Sequence, residues 1–289
     1  MHFKEAKSIL MPSGGINIYR GCTHGCIYCD SRSDCYQMDH DFEDVEVKIN
    51  TPWLLEDALK RKKAVSMIGT GAMSDPYMHC EKELKLTRQC LEIIKKYGFG
   101  VSLQTKSTLI LRDLDLICDI HRSLKAVVNM TVTTVDDDLC RILEPNVAVT
   151  SERFEALKIF RQQGIPTVVW LTPILPFIND TEENVTGIAE KCGELGVKGI
   201  ITFGNMGVTM RSGDREYFYK CLDKHFPGMK ERYAKRYGLA YQLPSPDNRQ
   251  LMSAFKRICK KYGMMTDTKE IFDYMHSTDE AVGEQLSLL

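Results

Sequence analysis

Between Ile16 and Phe203 the sequence carries six short apolar runs with strand character, and a segment of helical length and period precedes each run after the first. Strands are expected at 16–20, 64–69, 99–104, 126–133, 165–171 and 197–203, with helices at 51–63, 81–97, 109–121, 151–163 and 180–195. The helix limits have local causes. Pro52 suits a first helical position, Gly98 and Gly164 suit carboxyl caps, and Asp180-Thr181-Glu182-Glu183 has the form of a capping box. Strand–helix alternation of this kind demands parallel βα units. Six units are too few for a closed eight-stranded barrel, so a partial barrel and an open doubly wound sheet both fit. Beyond Gly213 the composition turns charged and helical, which divides the chain into a core at 1–212 and a helical extension at 213–289.

The chain has 289 residues, 43% hydrophobic and 27% charged, with a formal net charge of −1. That balance belongs to a globular protein with a substantial core. It gives no whole-molecule attraction to nucleic acid or to an anionic membrane. Basic clusters such as Lys60-Arg61-Lys62-Lys63 fall in helix-like segments and read as solvated helix faces. Residues 1–7 lack the apolar run of a secretory signal or anchor, and no stretch is long and apolar enough to span a bilayer. Eleven cysteines then imply reduced thiols and a cytoplasmic location.

Three of those cysteines lie together in Gly21-Cys22-Thr23-His24-Gly25-Cys26-Ile27-Tyr28-Cys29, spaced C-x3-C-x2-C after the first strand. Cysteines that only fill a core follow strand or helix spacing within apolar segments, whereas these stand among Gly, Thr and His. Three thiolates suit a cubane [4Fe-4S] cluster, whose irons are held by cysteine sulfur; one iron is then left open for chemistry. A structural zinc is the competing reading. It needs four ligands, the fourth coming from Cys35, His24 or His40, and it makes the protein a zinc-stabilised binding module.

The spacing, with an aromatic residue before the last cysteine, resembles the radical S-adenosylmethionine (SAM) superfamily. The order of further segments resembles its spore photoproduct lyase-like branch over about residues 15–205: Ser74-Asp75-Pro76-Tyr77, Thr105-Lys106-Ser107, Thr131-Val132-Thr133-Thr134, Leu143-Glu144-Pro145 and Thr172-Pro173. The resemblance implies a partial (β/α)6 barrel of parallel strands. It also implies a [4Fe-4S] cluster on Cys22, Cys26 and Cys29, SAM on the open iron, and a 5′-deoxyadenosyl radical that takes hydrogen from a substrate. An external electron donor of flavodoxin or ferredoxin type is implied as a partner. By the family pattern Ser74 meets the SAM amino group, Lys106 its carboxylate and Thr131 the ribose, while Tyr28 lies against the adenine. Asp75 shares the rim of Ser74 and Lys106, and Thr133 the strand face of Thr131. These residues supply the donors and acceptors that a zwitterion and a ribose need.

Two departures bear on the substrate. Photoproduct lyases carry a hydrogen-donating cysteine two residues before the Ser-Asp pair, where this chain has Ala72, and a tyrosine after the third cluster cysteine, where it has Asp30. Cys35 and Cys80 are the alternative hydrogen donors. The extension shows no strongly basic groove for duplex DNA, so repair of thymine photoproducts is an alternative to an unidentified substrate. Glu144 and Arg153 are open to two readings, residues lying just behind the site or an ordinary helix-surface pair.

Overall fold

The computed structural model describes residues 1–71 and 73–278, so Ala72 lies outside the described residues. The chain opens with β1 (His2–Lys4), β2 (Gly15–Ile16), β3 (Tyr19–Arg20) and β4 (Glu46–Lys48). The single strand expected over 16–20 is therefore two. Ile16 pairs with Thr70 in the main sheet, whereas Tyr19 and Arg20 pair antiparallel with Val47 and Glu46. Asn17 and Ile18 make the crossing. Their carbonyls accept from the Lys48 amine (2.9 Å) and the Lys48 N–H (3.1 Å), so the backbone changes sheets with both carbonyls satisfied. The small sheet, in the order β1-β4-β3, leads directly into the cysteine loop.

The βα units follow: α1 (Thr51–Arg61), β5 (Met67–Thr70), α2 (Glu81–Leu84), α3 (Leu86–Lys96), β6 (Gly100–Thr105), α4 (Leu114–Ser123) and β7 (Ala126–Thr131). After them come α5 (Asp137–Leu143), α6 (Thr150–Gln162), β8 (Thr167–Trp170), α7 (Glu182–Glu194) and β9 (Gly199–Ile201). The six-stranded sheet runs β2-β5-β6-β7-β8-β9, every pair parallel. A doubly wound sheet reverses its strand order at a switch point; this order never reverses. The wall is that of a partial (β/α)6 barrel.

Two expected helices are interrupted. Lys85 takes a left-handed conformation (φ 50°) and splits 81–97 into α2 and α3. The cause is tertiary: the buried Glu81 carboxylate accepts the Thr87 N–H at 2.8 Å and the Tyr19 hydroxyl, capping the second helix from outside its own turn. The segment expected to be helical over 109–121 begins as a 3-10 turn, Thr108–Asp113.

Past the barrel come β10 (Gly207–Thr209), α8 (Asp214–His225), α9 (Met229–Tyr237), β11 (Gln242–Pro244), α10 (Asn248–Tyr262) and α11 (Thr268–His276). The later residues are mostly helical, but β11 returns to pair antiparallel with β10. α10 packs on α7, with Leu251, Phe255 and Cys259 in the main core. On β7 the faces alternate: Ala126, Val128 and Met130 join the helix-side core. Val127 joins Met67, Val168 and Ile201. Ile271 and Met275 of α11 close that inner cluster near the strands' amino ends, leaving the carboxyl ends open for chemistry. No helix among the described residues is long and apolar enough to cross a membrane.

Candidate active site

The cysteine loop is shaped by glycine and pinned by backbone bonds. Gly21 (φ 87°) turns the chain out of β3, and a Cβ there would meet the Phe42 carbonyl oxygen at 2.5 Å. Gly25 (φ 72°) lies where a Cβ would meet Asn146 at 2.9 Å. Only glycine tolerates both the dihedral and the approach. Cys22 N–H donates to Phe42 O, Ile27 N–H to Leu143 O and Asn146 N–H to His24 O, at 3.0, 3.0 and 3.1 Å. Two segments far from it in sequence, at Phe42 and at 143–146, thus hold one nine-residue loop.

Cys22, Cys26 and Cys29 line one cavity of 130 Å³ together with Ser74, Lys106 and Thr131. Ser74 Oγ donates to the Tyr19 carbonyl at 2.6 Å, which holds the hydroxyl oxygen at the rim. The Asp75 carboxylate accepts from Thr105 Oγ1 (2.6 Å), Tyr77 N–H (2.8 Å) and Lys106 N–H (2.8 Å), and His24 Nδ1 lies 3.5 Å away. Asp75 therefore aligns the ends of β5 and β6; its oxygens are engaged within the protein. Burial disfavours the Lys106 charge, but Cys26, Glu144, Cys29 and Asp75 around it more than offset this and raise its pKa.

The thiols fit an iron–sulfur cluster better than a single zinc. Burial first, then Asp75, pushes the Cys22 thiol up to about 12, and burial holds Cys26 well above the usual thiol range. Such thiols ionise when a metal supplies the compensating charge. One tetrahedral zinc with Zn–S bonds of about 2.3 Å draws its sulfurs to about 3.8 Å from one another. Among the described residues, the three cysteines are not a group whose ligand atoms lie within 4.8 Å of one another. Of the three candidate fourth ligands, His24 lines the cavity with its Nδ1 3.5 Å from Asp75, and the other two are engaged elsewhere. Cys35 is exposed with Arg211 Nη1 at 3.0 Å, His40 Nδ1 bonds the Asp41 carbonyl, and neither lines the cavity.

Behind the loop lies a network that decides between the two readings of Glu144 and Arg153 against the surface pair. Glu144 and Arg153 have no exposed side-chain surface and meet at 2.5 Å. The Tyr28 hydroxyl donates to Glu144 Oε1, and Arg153 continues to the Thr131 carbonyl (3.0 Å) and the Ala148 carbonyl (2.8 Å). Burial opposes ionisation of Glu144, but Arg153 and Lys106 outweigh it and its pKa is lowered. Leu143 is the last residue of α5, a short acidic helix not expected from the sequence, and Glu144-Pro145 follow it. The buried Tyr28 ring carries its hydroxyl into this network.

Thr131 and Thr133 separate. β7 ends at Thr131, and the Thr133 carbonyl accepts from Asn179 (2.8 Å) and Asn184 (3.0 Å) instead of a strand partner. Thr133 lines neither this cavity nor its larger neighbour. That neighbour, 580 Å³, shares Cys29, Gln104, Lys106 and Thr131 with the first and widens past Trp170 to Asn205 and Tyr241. Asp30 is at its edge, accepting the Tyr36 hydroxyl (2.7 Å) with Arg211 Nε at 3.6 Å. Cys35 stands outside, reaching the cavity only through Arg211, which also donates to Tyr241 Oη at 2.9 Å. Cys80 lies at the start of α2 beside Glu81, packed against the main core; burial raises its thiol.

A family model described as Radical SAM superfamily matches residues 16–192. An uncharacterized protein of Mycobacterium tuberculosis is 27% identical over 258 residues, which cover 87% of this chain and 75% of that protein. An uncharacterized protein of Methanocaldococcus jannaschii is 34% identical over 169 residues, 58% of this chain and 62% of its own. Among solved structures, a variant of spore photoproduct lyase with bound AdoMet and dinucleoside spore photoproduct has a TM-score of 0.61 at 16% identity. The match covers 92% of this chain and 78% of that one.

Proposed function

The chain belongs to the radical SAM superfamily, whose members use a [4Fe-4S] cluster and SAM, and we propose that it holds the cluster on Cys22, Cys26 and Cys29 and binds SAM between Ser74, Lys106 and Thr131. The observation that carries this reading is the single cavity these six residues share, opening into a larger one. When bound, the cofactors supply a one-electron cleavage of SAM and a 5′-deoxyadenosyl radical that takes a hydrogen atom from substrate.

The protein's own residues orient and shield. Lys106 offers its ammonium to a carboxylate, a charge-assisted bond. Ser74, held by Tyr19, and Thr131, held through Arg153, offer fixed hydroxyl oxygens to an amino group and a ribose. Tyr28 presents backbone to the adenine while its ring ties the loop to Glu144. The substrate sits in the 580 Å³ cavity, within reach of a group bound at Lys106 and Thr131. An external donor of flavodoxin or ferredoxin type supplies the electron, and a reducing cytoplasm suits the eleven free thiols. Asp30, bound to Tyr36 and Arg211, occupies the position where photoproduct lyases carry tyrosine, which argues for a substrate other than a thymine photoproduct.

Protein reconstituted with iron and sulfide under anaerobic conditions and reduced with dithionite should release 5′-deoxyadenosine from SAM. Cys26→Ala should lose both the cluster absorption and the cleavage. Full cluster content in that variant would remove the assignment.

A further inference from the structure

We propose that His2, His40 and Asp44 form a site for a divalent transition metal, of which zinc is the best fit, bracing the segment that holds Cys22. One ligand atom from each residue lies within 4.8 Å of the other two. The three come from β1 and from the loop between Tyr36 and β4, well away from the cysteines in role and donor type.

The protonation pattern prepares His40 as a ligand. Its Nδ1 lies 3.0 Å from the Asp41 carbonyl and so carries the proton, leaving a lone pair on Nε2. Nε2 is buried and has no hydrogen-bond partner among the described residues. A buried acceptor without a donor is costly and uncommon, and a cation satisfies it. Metal-bound histidines characteristically donate the other ring nitrogen to a carbonyl or carboxylate, the arrangement seen at Asp41.

His2 and Asp44 supply the remaining ligands. His2 Nδ1 is 2.9 Å from Asp44 Oδ2, while Asp44 Oδ1 accepts from the Met1 amino group at 2.8 Å. A zinc ion between Nδ1 and Oδ2 replaces the shared proton and opens that pair to about 3.3 Å, as bonds of about 2.0–2.1 Å at tetrahedral angles require. The His2 and Asp44 side chains are 41% and 44% exposed, so both can make this small movement and admit a water as fourth ligand. Two imidazoles and one carboxylate suit zinc far better than calcium or magnesium, which take all-oxygen shells.

The position gives the metal a structural consequence. His40 and Asp44 flank Phe42, whose carbonyl accepts the Cys22 N–H at 3.0 Å and covers Gly21. Metal binding would fasten β1 to this loop and fix that carbonyl.

The test uses tag-free holoprotein with its cluster assembled anaerobically, so that the cysteines are occupied, titrated with Zn²⁺. One equivalent should bind, and zinc-edge X-ray absorption should show only nitrogen and oxygen neighbours at about 2.0–2.1 Å, with imidazole scattering. His40→Ala and, separately, His2→Gln should each weaken zinc at least tenfold with unchanged far-ultraviolet circular dichroism. If His40→Ala fails to fold, His2→Gln and the wild-type absorption spectrum still decide. Sulfur neighbours near 2.3 Å, no stoichiometric binding, or wild-type affinity in the folded variants would overturn the site.

Discussion

Tyr28 and Glu144, separated by 116 positions in the chain, share a hydrogen bond in a compartment closed to solvent, and Arg153 neutralises the carboxylate from the other side. The contact ties the cysteine loop to the turn after α5. Through Arg153 it also reaches the carbonyl of Thr131 at the end of β7. A buried ion pair gains little over a well-packed apolar pair, but removing one member strands the other charge.

Glu144→Gln should therefore destabilise the protein by about 3–5 kcal/mol, because Arg153 stays charged and buried. Glu144→Gln combined with Arg153→Met should recover most of that loss. Urea unfolding followed by circular dichroism measures both. A double variant no more stable than the single one would mean that packing, and not the stranded charge, sets the cost.

The pH dependence of stability should carry a signature of Asp214. Burial, followed by repulsion from Asp30, raises its carboxyl to about 6. The native state thus holds a proton that the unfolded chain has already released, since an unperturbed aspartate titrates near 3.8. The sign follows: the contribution is fully present below about 3.8 and is lost as pH rises through about 6. Asp214→Asn keeps an acceptor for the Arg211 N–H, now at 2.7 Å, and should flatten this part of the profile. An unchanged slope between pH 4 and 7 in the variant, pH values set around the about-6 titration, would place the effect on another group.

The barrel was legible because its signals are local and repeated. Apolar runs, caps at Gly98 and Gly164, and the Thr181 hydroxyl, which accepts the Asn184 N–H as a simple N-cap where a box was expected, each act within a few residues, and strands 67–70 to 199–201 lie where periodicity puts them. The rim was legible for a topological reason: parallel strands bring Ser74 and Lys106 to the same end. What could not be read depends on distant partners. The Lys85 break is dictated by the Glu81–Thr87 bond, and β3 and β4 are too short to show a period. Glu144 stayed open between a surface charge and a residue behind the site because nothing near it in sequence reports Tyr28. Thr133 seemed to share the face of Thr131 only while β7 was taken to continue; Asn179 and Asn184 end it.

Asp75 should behave as a positioning residue. Replacing it with Asn sets an amide N–H₂ against one of three donors, Thr105 Oγ1, Tyr77 N–H or Lys106 N–H. Loss of a buried bond to a charged acceptor costs about 1.5–3 kcal/mol. SAM affinity should fall several-fold as Lys106 shifts, while iron and sulfide content stay at the wild-type level. Equilibrium dialysis with labelled SAM gives the first quantity and elemental analysis the second. Undiminished affinity would show that the β6 end keeps its place without this carboxylate.

Lys106 should act on SAM and leave the cluster alone. Its ammonium stands in the cavity of Cys22, Cys26 and Cys29, on the same rim as Ser74, and its pKa stays above the ordinary lysine value despite burial. A charge-assisted bond to a carboxylate is worth about 1.5–3 kcal/mol, so Lys106→Ala should weaken SAM binding about ten- to a hundredfold. Iron content and visible absorption should persist, because lysine contributes no iron ligand. Lys106→Arg keeps the charge on a longer, planar group and should recover only part of the affinity. Binding by Lys106→Ala as tight as wild type, with the cluster intact, would move the carboxylate contact to another residue.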